Sequence, residues 1–478
     1  MLPASAWFFE THPAAPGHFN FSVAVALTPA YDAAALRAAV TAVLAHHDAL
    51  RLTFDTTAGP RPAATYLGAV DTDAVLDVHD LTAGDGPADT PEDRWRAAVL
   101  AAHRGFDLAD GPLIRFVVGR QGTGRPARLA VVAHHLVMDG VSLRVLMEDL
   151  AAAYEQITAG GRAELGPKGT SVRQWAERLA AHTAAGGFDD QIPYWRAVGE
   201  QAVTALPVDL PGGRNTVATQ AAVSLALTAA QTEAVLQQGS ALYRTQANDV
   251  LLTALARALR TWTGHDRVAV TLEGHGREEL FTDTDLTRTV GWFTSLHPIA
   301  LALPEPAGDD PDGGWADAVK CVKEQLRAVP QRGIGYGALR HLADAPVGRL
   351  DPLVSFNYHG QFDVSGDESE AGLFGAALPS VGGEHAPAER RTHLLDVVGA
   401  VQDGQLVFSW LYSADTYREE TVRGLAEGFA AELAAFAEHC ARPGAGGCTP
   451  RTSRWSPSAR PRWTGSPGTA ARSRTSTP

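Results

Sequence analysis

The apolar run Leu129 to Ala133 ends in His134 and His135, and Asp139-Gly140 follows four residues later. An imidazole with an ordinary pKa near ~6.5 can take or give a proton at neutral pH, and a turn at a strand end lets it face a cleft while the sheet holds its backbone. Asp139 has a different part, since a carboxylate just ahead of a helix satisfies backbone N–H groups or an arginine and so braces the turn. A second unusual turn, Glu273-Gly274-His275-Gly276-Arg277-Glu278, closes the apolar run Val268 to Leu272, and its two glycines let the backbone approach a neighbour closely. A third stretch, Phe356-Asn357-Tyr358-His359-Gly360-Gln361, carries more amide, phenol and imidazole than a core strand usually tolerates. The doublet alone says little. His46-His47-Asp48 also follows a helical pattern with nothing around it that suggests a site, and a pair of packed core histidines would look the same.

Each of these groups needs an element behind it. Leu129 to Ala133 reads as a buried strand, and Leu143, Leu146, Met147, Leu150 and Tyr154 recur at helical steps until Gly160-Gly161. Strands are also expected at Phe19–Leu27, Leu50–Phe54, Leu113–Val118, Ala221–Leu227, Arg267–Leu272, Val354–Asp363 and Leu406–Tyr412. Helices are expected at Asp32–His47, Ser171–Ala185, Gln191–Val198, Ala229–Gln238, Asn248–Trp262 and Arg418–Cys440, and Asp363 to Ala388 reads as a loop. The alternation argues an α/β layered fold in two lobes, 1–187 and 188–448, divided near Gly186-Gly187. Pro330 to Gly337 lacks the Lys-Ser/Thr ending of a phosphate-cradling loop, which argues against nucleotide binding.

Composition narrows the class. With 45% apolar and 20% charged residues the chain is an ordinary globular one, and no apolar run approaches the ~18 residues of a membrane span. The first residues do not resemble a signal peptide, so a cytoplasmic setting without membrane contact is expected. A net charge of −14 disfavours nucleic acid as a partner. Three cysteines form no framework, and no metal-ligand spacing is present.

The order of the motifs is more telling than any one of them. His134-His135-x-x-x-Asp139-Gly140, Glu273 to Glu278, Arg288-Thr-Val-Gly-Trp-Phe-Thr294, Pro330-x-x-Gly-x-Gly-Tyr-Gly337 and Phe356-Asn-Tyr-x-Gly-Gln-Phe-Asp363 together resemble the motif set of epimerisation domains of nonribosomal peptide synthetases, within the condensation-domain superfamily. Pro3, Trp7 and Phe8 match the opening Pro-Ile-Gln-x-Trp-Phe of that set, whereas Ala4, Ser5, Leu143 and His359 depart from it. The resemblance runs from Pro3 to about Cys448 and implies two chloramphenicol-acetyltransferase-like lobes in a V-shaped pseudo-dimer, with the active site in a tunnel between them.

It also implies inversion, L to D, at the α-carbon of an aminoacyl or peptidyl thioester. The substrate would arrive on the phosphopantetheine of a carrier domain, in cis or in trans, beside neighbouring synthetase modules, with no cofactor of the protein's own. His135 and Glu273 are then the proton-transfer pair and Tyr358 polarises the thioester oxygen. Asp139 holds the histidine turn against Arg277, and His134 and Asn357 support. Gly140, Ser142, Trp292, Phe293, Gly335, Tyr336 and Gln361 line the channel. A condensation-type acyltransferase and a carrier-docking module without turnover are the alternatives. Residues 449–478, with six Arg and no acidic side chain, read as a disordered tail or the product of a frameshift. Met1 lies almost on the first motif, which suggests a carrier on another polypeptide or on a lost part of a longer one.

Overall fold

The computed structural model describes residues 1–12, 14–59, 61–82, 90–201, 205–305, 314–347, 352–361, 372–443 and 445–447. In chain order the first part holds α1 (Pro3–Thr11), β1 (Asn20–Leu27), α2 (Ala33–His46), β2 (Leu52–Asp55), β3 (Ala63–Tyr66), β4 (Leu76–Asp80), α3 (Pro91–Arg104), β5 (Ile114–Arg120), β6 (Arg128–His134), α4 (Gly140–Thr158), α5 (Val172–Ala184) and α6 (Ile192–Gln201). The second part holds β7 (Gln220–Ala226), α7 (Ala229–Glu233), α8 (Gly239–Tyr243), α9 (Ala247–Thr263), β8 (Arg267–Gly274), β9 (Ser295–Ala302), α10 (Trp315–Ala328), α11 (Ile334–His341), β10 (Val354–Gln361), β11 (Phe374–Leu378), β12 (Leu395–Gln402), β13 (Gln405–Ser413) and α12 (Glu419–Cys440).

Local chemistry explains the boundaries that matter for the site. Asp139 caps α4 by accepting from Ser142 N at 2.8 Å, so the motif aspartate also starts the helix. Asp32 does the same for α2, and Ser171 and Gln174 form a capping box on α5. Pro298 sits within β9, where a missing N–H is tolerated because β9 is the edge of its sheet.

Two sheets carry these elements, ordered β11-β1-β6-β5-β4 and β7-β13-β12-β10-β8-β9. β6 lies near the middle of the first, and β8 lies just inside the edge strand of the second. β10 runs parallel to both β8 and β12, whereas β8 and β9 are antiparallel. One buried apolar cluster extends through both halves, from Leu2 and Phe8 to Phe436 and Cys440.

Two expectations are corrected. The stretch 363–388 is not loop throughout, because β11 pairs antiparallel with β1 and so adds a strand of the second half to the first half's sheet. The division at 187 is therefore crossed once. The strand expected at Leu50 begins at Leu52, after a 3-10 turn over Asp48–Arg51. Gly335 and Tyr336 lie in α11. The tail 449–478 and Cys448 fall outside the described residues.

Candidate active site between the two sheets

β6 delivers both histidines, and the strand alternation separates their surroundings. His134 is fully buried. Its Nε2 lies 2.7 Å from Pro16 O, and its Nδ1 accepts the Leu136 N–H at 3.1 Å, which fixes a neutral ring that donates through Nε2. Burial lowers its pKa to about 3, and with both nitrogens engaged it serves the turn rather than a substrate. His135 is half-buried, and its backbone N–H donates to Phe19 O at 2.9 Å. Its ring packs 4.4 Å from Trp292, 5.6 Å from Phe19 and 5.8 Å from Phe21. Burial lowers its pKa to about 4 against the pull of Asp139, so the neutral ring prevails at pH 7. Nδ1 is enclosed and unpartnered among the described groups, which leaves Nε2 as the open nitrogen.

Four residues beyond His135, Asp139 meets Arg277, which itself lies four residues beyond Glu273. The pair is bidentate: Nη1 donates to Oδ2 at 2.8 Å and Nη2 to Oδ1 at 3.1 Å. Arg277 Nη2 also donates to Ser142 Oγ at 2.8 Å and to Thr289 O at 3.1 Å, and the guanidinium lies 4.5 Å from the Phe293 ring centre. Asp139 Oδ2 further accepts the Phe293 N–H at 3.0 Å. Ser142 Oγ donates to Gly291 O at 2.8 Å and lies 3.0 Å from Gly291 N. The two strand ends are thus tied to each other through one buried ion pair. Removing one partner of such a pair strands the other charge, so Arg277→Met should cost about 3 kcal/mol. Urea unfolding at pH 7.5 checks this, and an unchanged midpoint would show the pair to be dispensable.

Glu273 stands on the second sheet. Asn357 Nδ2, on the neighbouring β10, donates to its Oε2 at 2.7 Å. Glu273 is exposed by surface, yet protein crowds it so closely that desolvation is the largest influence on its carboxyl, which is pushed up to about 7. The two observations fit a side chain that looks into a recess instead of bulk water.

The remaining expected site residues divide. Trp292 and Phe293 are buried at the junction of the halves, Trp292 between His135 and Trp7. Gly140 is half-buried, and a side chain there would meet only the Phe21 ring tip, at ordinary contact distance. Ser142 is spent on Gly291 and Arg277 and is a brace. Tyr336 packs 5.0 Å from Trp195, and a side chain at Gly335 would strike Gln191, so both are closely packed in the interior. Tyr358 follows Asn357 on one strand, and alternation turns it to the opposite face, with Phe356. Its hydroxyl has no hydrogen-bond partner among the described residues, and burial raises its pKa. The backbone of Gln361 pairs with Val401, and its side chain is outside the described part.

Sequence reasoning missed a set of polar groups on the face of Glu273. His393 Nδ1 lies 3.0 Å from Asp396 Oδ1 and its Nε2 lies 3.2 Å from Thr271 Oγ1. Arg391 Nη2 donates to Asp396 Oδ2 at 2.6 Å, and Ser355 Oγ donates to Oδ1 at 2.5 Å. His385 stacks on Phe19 at 4.5 Å, from the segment that crosses between the sheets. The run Arg391-Thr-His-Leu-Leu-Asp396 is the available signal, and it reads as ordinary because its partners lie on distant strands. Conversely, His47 does have company: its Nε2 is 3.0 Å from Asp149 Oδ2, while Arg288 Nη2 donates to Asp149 Oδ1 at 2.6 Å. With His46 these form the one ligating cluster among the described residues, but Arg288 already neutralises its only carboxylate, and it braces α4. An apolar crevice lies behind Trp292, lined from α1, α5 and α11.

A family model, Condensation domain, matches residues 3–446. The chain is 41% identical over 453 residues to chondramide synthase cmdD of Chondromyces crocatus, covering 92% of this chain and 11% of that protein. It is 39% identical over 461 residues to one of the linear gramicidin synthase proteins of Brevibacillus parabrevis, covering 94% and 9%. The chain thus spans about a tenth of the length of these curated relatives. Among solved structures, it is similar to the epimerization domain from the third module of tyrocidine synthetase B, with 32% identity, TM-score 0.81, and 92% and 96% of the two chains covered. The condensation domain from Monacolin K polyketide synthase shares the fold at 16% identity, TM-score 0.68, with 91% and 96% covered. No described helix is long and apolar enough to cross a membrane.

Proposed function

Because this chain belongs to the condensation-domain family of nonribosomal peptide synthetases, with the two-lobed α/β fold of that family, we propose that it inverts the α-carbon of an aminoacyl or peptidyl thioester presented on the phosphopantetheine of a carrier domain. The observation that carries this reading is Glu273, a carboxyl held by Asn357 and raised to about 7, on a strand end locked to that of His135. Amide formation has no evident use for such a group. The similarity to an epimerization domain at 32% identity supports the same choice.

In the proposed reaction, one of the pair takes the α-proton, and the electron pair of the broken C–H bond moves into the thioester as an enolate. The other returns a proton to the opposite face of that carbon. The pair must therefore hold one proton between them. With His135 near about 4 and Glu273 near about 7, that proton rests on Glu273, so the starting form is a neutral imidazole and a carboxylic acid. Inversion by both groups should accordingly peak between these values and fall as pH rises through about 7, where Glu273 ionises. A mechanism using the Glu273 carboxylate alone would instead rise through the same pH. Initial rates of D-form appearance at constant ionic strength distinguish the two.

The defining experiment incubates the protein with carriers loaded with different L-residues, following solvent deuterium at the α-carbon and the chirality of the released acid. Deuterium uptake with a D product is expected. Amide product from donor and acceptor carriers would replace this reading with acyl transfer, and binding without exchange would reduce the protein to a docking module.

A further inference from the structure

The polar groups beside Glu273 are more ordered than a lone proton-transfer residue requires. Alternation puts Thr271 and Glu273 of β8, Ser355 and Asn357 of β10 and Asp396 of β12 on one face of the second sheet, as the Asn357–Glu273 and Ser355–Asp396 hydrogen bonds show. His393 lies across this row with both ring nitrogens engaged, one at Asp396 and one at Thr271, two residues before Glu273. Asp396 is in turn anchored by Arg391, which also donates to Leu411 O at 2.9 Å and to Asn215 Oδ1 at 3.2 Å. The ring is therefore fixed at a set place and angle relative to the carboxyl.

We propose that His393, gripped by Asp396, is a positioning residue for the reaction: it sets the charge surroundings in which Glu273 exchanges its proton. This rests on the reading of Glu273 as a proton-transfer group. Two opposite influences meet at Glu273. The His393 ring in its protonated form favours the carboxylate, and the Asp396 carboxylate opposes it. Asp396 itself is held well below the usual carboxylate range by His393, Arg391 and Ser355, although burial opposes this, so its negative charge persists wherever Glu273 titrates. Other titratable groups face the same network: His12 from α1 feels His393, and His385 from the crossing segment feels Asp396. The arrangement keeps the ionisation of Glu273 near neutral pH by balance, since burial alone would raise it further.

The test reads the carboxyl itself. In the full chain labelled with 13C at glutamate Cδ, the Glu273 resonance is assigned by its loss in Glu273→Gln and titrated in the parent, in His393→Gln and in Asp396→Asn. Removing the ring should move the Glu273 midpoint up and removing the carboxylate should move it down, each by about 0.5 to 1 pH unit, the scale of a nearby but not touching charge. The alkaline limb of the inversion profile should move with it. Thr271→Val, which frees only the Nε2 end of the ring, provides a milder variant with a smaller upward shift should either of the others fold poorly. Midpoints that stay put in folded variants, or that move together in one direction, overturn the proposal even if rates fall. A parent that titrates and responds as described but inverts no thioester would refute the epimerase reading while leaving the hold of His393 and Asp396 on the Glu273 carboxyl intact.

Discussion

Glu273→Gln should lower inversion of a carrier-bound L-residue by about 10³-fold, within the range that a positioned acid or base contributes. Glutamine keeps an oxygen to accept from Asn357 Nδ2, so the strand-end geometry survives while the exchangeable proton is lost. Stability should move the other way. Because the folded carboxyl titrates near about 7, above its ordinary 4.5, the fold loses stability as pH rises from 4.5 to about 7, and the loss is complete above that. The variant should therefore melt at or above the parent at pH 8, and the difference should shrink as pH falls through 7 towards 4.5. Scanning calorimetry at the two ends, alongside chiral analysis, checks both halves. Full inversion by this variant would remove Glu273 from the mechanism.

His135→Ala should lower inversion by a similar factor, on the order of 10² to 10³, but with a different residue of activity. If Glu273 serves one face of the α-carbon, it can still remove and restore a proton there once the opposite face is unattended. One enantiomer should then exchange its α-hydrogen with solvent deuterium without inverting, and the other should exchange far more slowly. Starting the reaction separately from L- and D-loaded carriers reveals which, and so assigns the faces that the apo geometry leaves open. Equal exchange from both would mean that His135 and Glu273 do not divide the carbon between them. The ring environment makes alanine informative, since Trp292, Phe19 and Phe21 form an aromatic wall around His135 that holds without it.

What the sequence disclosed about this site follows from the range of the interactions involved. β6 and β8 are written as runs of buried, largely apolar residues and β13 as an alternation, and both patterns are local properties. Asp139 is legible as a brace because capping acts over three residues, whereas Arg277 becomes its partner only through the fold. β11 left no trace because five residues, Phe-Gly-Ala-Ala-Leu, become a strand only through the edge of β1 some three hundred and fifty positions earlier. The His393 network is hidden for the same reason: Thr271, Ser355 and Asp396 share a face only once β8, β10 and β12 are side by side. Tyr358, next to Asn357 in the motif, stands on the other side of β10, because adjacency on a strand means opposite faces.

The strand that crosses over has a consequence for what counts as a unit here. With β11 lent to the first sheet, β1 has hydrogen-bonding neighbours on both sides; without it, a central strand becomes a bare margin with unpaired amides and an apolar face. Residues 1–187 are thus not a self-sufficient module, and a gene divided at that junction would yield a fragment prone to stick to its own kind.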